Sequence, residues 1–338
     1  MKRYFVSTLC AMLAVFLCGC TLQPPKKTTV TSSVGVYTVP ELSSPLEIER
    51  TEQVGDKTIV IHAAVVTVEK ENLFTVVLTP DIGAWAAFGE KLLTDYAQEI
   101  DSAVQSGSMD IAVKEDNQLW KRFSLGRYSA GDVVFWDGEK DLNGSDLDSS
   151  WSHSIPHYRT QLVPSATEIT ADEAAEKVCE LLDSHSCLRF TPWNITAGYD
   201  SQNMKGYYHI MLQPQMDDVP IYPDLISAFY SDEGLFSCRG TVFLQERERI
   251  PVESVFPLER AVEQFIANCP AYAYTEKIVC QQICLGYILT SEEDVVTLSP
   301  AWIFECQEDM YSEDGLQIVN TRYYNCGFLL KSGEFWLD

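Results

Sequence analysis

The sequence predicts an α+β protein in which antiparallel β-sheets carry helices packed on one face. Three observations predict it. Apolar residues recur at three- and four-residue intervals in only three stretches, over 83–100, 171–183 and 257–267, the period of a half-buried helix. Most other apolar runs are short, rich in Val, Ile, Tyr and Phe, and bounded by turn formers, as strands are. Two strand pairs are joined by near-identical turns, Ser231-Asp232-Glu233-Gly234 and Ser312-Glu313-Asp314-Gly315, with Gly at the left-handed hairpin position. The order helix, long strand, hairpin thus occurs twice, which predicts a repeated α+β unit.

Taken in order, Lys2 and Arg3 precede an apolar run, Phe5–Cys18. The run falls short of the roughly 20 residues that cross a bilayer as a helix. Residues 1–19 therefore read as a secretory signal. Residues 20–50, rich in Thr, Ser and Pro, read as a tether. A first α+β domain is expected over 51–163 and a second over 164–338. In the first, Lys57–Val68 and Leu73–Thr79 read as strands. Asp81 caps one helix from Gly83 to Ile100, with Trp85, Phe88, Leu92, Tyr96 and Ile100 as its buried stripe. Leu119–Leu125 and Asp132–Trp136 are further strands.

In the second domain, Thr170-Ala171-Asp172-Glu173 is a capping box. It opens a helix whose face holds Ala171, Ala174, Ala175, Val178, Leu181 and Leu182. A second helix follows Pro257, with Leu258, Ala261, Val262, Phe265 and Ile266 inward; Pro suits its first turn. Strands are expected at Tyr207–Gln213, Leu225–Tyr230, Leu235–Leu244, Ile278–Leu289, Ala301–Cys306, Leu316–Tyr324 and Phe328–Leu330.

Composition narrows function. The formal charge is -25 and apolar residues make up 46%, enough for a core. That charge repels nucleic-acid phosphates and anionic headgroups, so no nucleic-acid partner is expected. The acids of 291–314 read as a solvated surface, or as a face for a basic partner or a cation. Eight cysteines beyond Cys20 all lie in the second half. In an exported protein that pattern predicts disulfides, with Cys179–Cys187 the first pair expected and Cys306–Cys326 the second. Thiols buried as small apolar groups are the alternative. Cys280 and Cys284 lie on one expected strand, roughly 13 Å apart, and do not bond to each other.

No catalytic or metal motif is present. His62 and His209 alternate within expected strands. His153 and His157 flank Pro156 and lack the HExxH glutamate. The acidic stretch 137–148 fails the helix-loop-helix calcium pattern. There is no G-x-S-x-G elbow or phosphate-cradling loop. No metal and no cofactor are expected. Among aromatics in segments that read as loops, Trp193 and Tyr199 are the candidate ligand contacts.

Two resemblances add to this reading. Leu17-Cys18-Gly19-Cys20 resembles the lipobox of bacterial lipoproteins, which implies cleavage before Cys20 and acylation of its thiol. The protein would then sit on the outer face of the cytoplasmic membrane, its bilayer partner engaged through Cys20. The segments Tyr207–Gln213, Val219-Pro220-Ile221-Tyr222, Ile283-x-Leu285-x-Tyr287, Pro300-Ala301-Trp302-Ile303-Phe304 and Ile318-Val319-Asn320 resemble the extracytoplasmic module of Yyc-type accessory proteins. Those proteins restrain a cell-wall sensor kinase in Gram-positive bacteria. PepSY-like modules and lipoproteins of clostridia and other Firmicutes share the pattern. The resemblance implies repeated PepSY/Yyc-like units over roughly 165–330. It departs in its lipid anchor, in Asn320-Thr321 with Gly327 further on, and in its cysteines.

The function expected is a lipid-anchored, non-catalytic protein that binds an envelope protein, a peptide or a wall glycan and modulates an envelope process. A substrate-binding lipoprotein of a transporter is the alternative, and a hydrolase of unrecognised type the third.

Overall fold

The computed structural model describes residues 46–66, 73–115, 118–126, 130–137, 168–200, 205–252, 256–311 and 317–337. Among the described residues, sixteen strands form one large, non-closed, mostly antiparallel sheet, and helices pack against it. The fold is mixed α+β.

The first strands are β1 (Leu46–Val54), β2 (Lys57–Val66) and β3 (Phe74–Pro80). β1 starts inside the segment read as tether. Its half-buried positions alternate strictly with exposed ones, as in a strand with one wet face, and polar residues on that face hide it in the sequence. The helix expected over 83–100 is broken in two, α1 (Ile82–Leu92) and α2 (Ala97–Ser106), by a 3-10 turn at Thr94–Tyr96. Leu93 leaves helical geometry (φ -121°, ψ 55°). The break still puts Trp85, Phe88 and Ile100 in one core. Asp81 caps α1, its side chain accepting from the Ala84 amide at 2.9 Å.

A three-strand meander follows: β4 (Asp110–Glu115), β5 (Gln118–Leu125) and β6 (Asp132–Asp137). The capping box then opens α3 (Ala171–Asp183), with Thr170 and Glu173 bonded reciprocally. Next come β7 (Arg189–Asp200), β8 (Lys205–Met216), β9 (Val219–Tyr222), β10 (Ile226–Ser231), β11 (Gly234–Thr241) and β12 (Leu244–Pro251). α4 (Leu258–Asn268) has Pro257 at its N-cap, one position earlier than first-turn placement. The chain ends in β13 (Lys277–Glu292), β14 (Val295–Tyr311), β15 (Ile318–Leu329) and β16 (Phe335–Leu337). β15 is continuous where two short strands were expected.

Strands from both halves of the sequence interleave. β2 runs parallel to β13, β3 pairs with β14 and β12, and β6 pairs with β11. One core lies between α1, α2, α3 and the β5–β6–β11–β10–β8 region; a second lies between α4 and the β2–β13–β14–β15 region.

A bulge in β13 decides which side chains reach that second core. The register shifts between Cys280 and Gln282, so one extra residue turns the following side chains to the other face. Ile278, Cys280, Ile283 and Leu285 face α4, while Cys284 and Ile288 face away with Tyr222 and Ile303.

The disulfide expectation is overturned: all eight cysteines from Cys179 to Cys326 are free thiols. Cys187 does not fold back onto Cys179. The turn after α3 is drawn toward β12 instead, with Ser186 Oγ donating to the Val242 carbonyl and the Cys187 amide to that of Leu244. Cys306 and Cys326 do share a sheet face, yet Cys306 stands opposite Tyr324 and Cys326 opposite Phe304. Such diagonal neighbours lie about 7–8 Å apart, beyond the roughly 4.4–6.8 Å a disulfide spans. Among the described residues, no helix is long and apolar enough to cross a membrane, so nothing in the structure supports a membrane assignment.

Candidate functional site

Register places a polar constellation on the sheet face opposite α1–α3. The core-facing side of this region takes Phe123, Val133, Phe135 and Cys238. Strand alternation turns Arg122 and Ser124 of β5, Asp132, Val134 and Trp136 of β6, and Ser237, Arg239 and Thr241 of β11 to the other side. Ser227 and Phe229 of β10 and His209 of β8 continue the row.

Several of these groups are buried and polar. Ser124 is 2% exposed and Asp132 6%. Among the described residues, Ser124 Oγ, Asp132 Oδ2 and Arg122 Nε are buried atoms that find no hydrogen-bond partner, a costly state for a polar group. The Arg122 head does reach the Asp110 carboxylate, at 3.2 Å. Asp224, on the β9–β10 connection, approaches from the other side of β11 and accepts the Thr241 amide at 3.1 Å. Thr241 is also the residue directly opposite Asp132. Burial, then repulsion from Asp224, push the Asp132 carboxyl up to about 7 against a weaker pull from Arg239. Burial likewise raises Asp224.

His209 sits further along the face. Its Nε2 is 2.9 Å from Ser227 Oγ, and its ring stacks on Phe229 at 4.4 Å. Burial lowers its pKa to about 4, so the imidazole is neutral near pH 7 and a weak general base. The other strand histidine, His62, is exposed beside Glu49, 3.3 Å away.

A second polar group lies under α4. Cys269, Cys280, Cys306 and Cys326 are all buried there. Cys280 and Cys306 face each other across β13 and β14, and the Cys306 thiol meets those of Cys269, Cys280 and Cys326. Hydrogen bonds from Cys306, Cys326 and Tyr324 favour charge on Cys269, while burial pushes Cys306 and Cys326 well above the ordinary thiol range. Tyr324 Oη bridges Cys269 Sγ (3.3 Å) and Glu308 Oε1 (3.1 Å), and Glu308 Oε2 accepts the Tyr274 amide. Arg322 lies 4.5 Å from the ring centres of both Tyr274 and Tyr324. Among the described residues, no group of three or more His, Cys, Asp or Glu side chains is arranged to hold a metal ion.

The acidic run of 291–314 is not one surface. Glu308 is fully buried. Glu305, raised by burial, accepts from Tyr222 Oη at 3.1 Å on the far side of the sheet. Glu292 and Glu293 line an open depression at the β13–β14 turn with Thr290, Val295 and Thr297.

Trp193 and Tyr199 are on a strand, not in loops. Both belong to β7, which among the described strands pairs only with β8. Pro192 and Gly198 argue against a strand in the sequence, but an edge position tolerates them. Trp193 is half-buried at a bulge between Pro192 and Asn194; the Tyr199 backbone pairs with Gly206. Among the described strands, β8 and β10 lie between β7 and the β11–β6 pair that carries Asp132. Cys20, Gly138–Asp148 of the acidic stretch, His153 and His157 lie outside the described residues. Sequence reading missed Asp132, Ser124 and Asp224. Only the polar residue opening the apolar run Val133–Trp136 could have flagged Asp132.

No family model matches the chain, and no curated protein does. No family is assigned. Among solved structures, an uncharacterized protein from Eubacterium rectale, determined at 1.45 Å resolution, is similar at 10% identity with a TM-score of 0.48. The similarity covers 85% of this chain and 93% of that one.

Proposed function

We propose that this chain is a lipid-anchored extracytoplasmic protein that works by binding, not catalysis. Leu17-Cys18-Gly19-Cys20 supports the anchor. The first described strand begins at Leu46, and the chain between Cys20 and Leu46 reaches at most about 90 Å at roughly 3.5 Å per residue. The body, acidic overall, is then held near a surface whose anionic headgroups repel it.

The observation that carries the binding reading is the polar sheet face opposite α1–α3, where half-buried Arg122, Arg239, Ser227 and His209 line up beside buried Ser124 and Asp132. Charged, hydroxyl and ring groups on one rigid face suit recognition of a peptide, a wall glycan or a partner protein. A neutral, weakly basic His209 favours recognition over acid–base chemistry. We further read α3 with β7–β11 and α4 with β13–β16 as two copies of one PepSY/Yyc-like unit. The shared order of a helix, a long strand and antiparallel partners supports that reading.

Membrane fractionation with labelled palmitate tests the anchor. The wild-type chain is expected to take up label and sediment with membranes, and Cys20→Ala to do neither; a wild-type chain that stays unlabelled and soluble overturns it. Crosslinking in cells from the anchored chain tests the role. An envelope protein or wall fragment is expected, and recovery of a transporter permease sinks the accessory reading.

A further inference from the structure

Buried thiols from four separate elements converge under α4. Cys280 is on β13, Cys306 on β14 and Cys326 on β15, while Cys269 opens the 3-10 turn Cys269–Tyr272 that follows α4. Register sets one pair apart. Cys280 and Cys306 stand directly opposite each other, so their Cβ atoms share a sheet face about 4.5–5.5 Å apart. Both thiol protons go to backbone oxygens: Cys280 Sγ donates to the Gln282 carbonyl at 3.5 Å, and Cys306 Sγ to that of Phe304 at 3.6 Å. Phe265, Ile278, Phe304 and Phe328 belong to the same core and are fully buried, so the pair is dry.

The donor set selects its ligand. Thiolates are soft donors that favour Cu(I) and zinc over hard cations. A structural zinc ion takes four ligands, and among the described residues no group of three or more is arranged to hold a metal ion. Cu(I) asks for less: this closed-shell monovalent ion is satisfied by two thiolates in line. It fits between two sulfurs about 4.6 Å apart, twice a metal–sulfur bond of roughly 2.3 Å. Two side chains standing parallel from directly opposed strand positions keep that span.

We propose that Cys280 and Cys306 form a two-thiolate site for a soft monovalent metal ion of the Cu(I) class, with Cys269 and Cys326 as its neighbours. Two thiol protons leave to solvent and one Cu(I) enters, so the filled site carries one negative charge. Arg322 of β15 supplies a positive charge beside it: the guanidinium lies 4.5 Å from the Tyr324 ring centre, and Tyr324 stands directly opposite Cys306. The site is on the α4 side of the sheet, and stands or falls independently of the anchor and of the polar face opposite α1–α3.

Anaerobic titration with Cu(I) against a chromophoric Cu(I) chelator tests this. The protein is the full chain, reduced, with Cys10, Cys18, Cys20, half-buried Cys179 and exposed Cys187 replaced by Ala. One Cu(I) per chain is expected, and an equivalent of Zn(II) is expected not to displace it. Cys280→Ala and Cys306→Ala should each weaken binding by more than the roughly 10–100-fold that loss of a metal site's neighbour costs. Cys326→Ala should stay within that range, and Cys284→Ala, on the other face of β13, should change nothing. No binding by the parent chain, or binding unaltered by Cys280→Ala and Cys306→Ala, overturns the site. Should those two variants not fold, X-ray absorption of the Cu(I)-loaded parent chain decides. Two sulfur ligands in line uphold the site; nitrogen or oxygen ligands, or three or more sulfurs, overturn it.

Discussion

At the residue scale, the second-half polar residues are used as internal partners more than the sequence implies. Tyr222 is the clearest case. Its hydroxyl donates to Glu305 and touches Cys284 Sγ at 3.4 Å, and all three lie behind the sheet face away from α4. Its ring also covers Gly286, where an added Cβ would meet it at 2.9 Å. Tyr222→Phe keeps the ring and removes the hydroxyl that donates to a buried carboxyl whose pKa burial already raises. The expected loss is about 1–3 kcal/mol in a urea titration, the cost of orphaning a buried acceptor. An unchanged midpoint would mean that Glu305 finds water instead. The Arg50 pairs with Glu52 and Glu263, at 2.8 and 2.6 Å, are exposed and contribute little by comparison.

At the scale of the element, one bulge separates two cysteines that share a strand. Without the extra residue at Gln281, Cys280 and Cys284 would lie on one face; with it, Cys280 packs beneath α4 and Cys284 against Tyr222. The resulting order of thiol access is testable. In native protein, alkylation is expected at Cys187 first, which is exposed, then at half-buried Cys179, with the six buried thiols reacting only on unfolding. Cys187 is exposed as a residue, yet its sulfur is desolvated and near Glu246 and Asp81, which push its pKa to about 11. Its rate should therefore climb about tenfold per pH unit through the neutral range as the thiolate fraction grows. Mass mapping that finds oxidised pairs in freshly isolated protein would contradict the free-thiol structure. The bulge left no sequence mark, because Gln281 and Gln282 are both compatible with either face. Helix ends were far more legible: Asp81 and the Thr170–Glu173 box act locally and fix the starts of α1 and α3. The break at Leu93 was not legible, since the apolar period runs through it unbroken.

For the whole molecule, the sheet is assembled from strands far apart in sequence. β1 is its test. This strand covers β2 over its full length from Leu46↔Val65 to Val54↔Lys57, and Leu46, Ile48 and Val54 pack on the α4-side core. Removing 46–54 should cost a few kcal/mol, at about 1 kcal/mol for each half-buried apolar side chain, and leave β2 as an exposed edge prone to pairing. The comparison is thermal unfolding of chains starting at Leu46 and at Gly55; equal midpoints would show that β1 is dispensable. The proposed Cys20 anchor would act at this scale too, on where the body stands.

By itself, the sequence determined the α+β class, the cores of α1, α3 and α4, and most strand positions. Those depend on local periodicity and on caps within a few residues. It also carries Leu17-Cys18-Gly19-Cys20, whose resemblance to a lipobox is a property of contiguous residues. Tertiary structure alone decided that β2 lies beside β13, that the cysteines remain thiols, and that Asp132 stands opposite Thr241 while Asp224 accepts the Thr241 amide. Each of these is a through-space distance between residues tens to hundreds of positions apart. Strand register sets such distances, and register answers to the packing of the whole sheet, not to any local pattern.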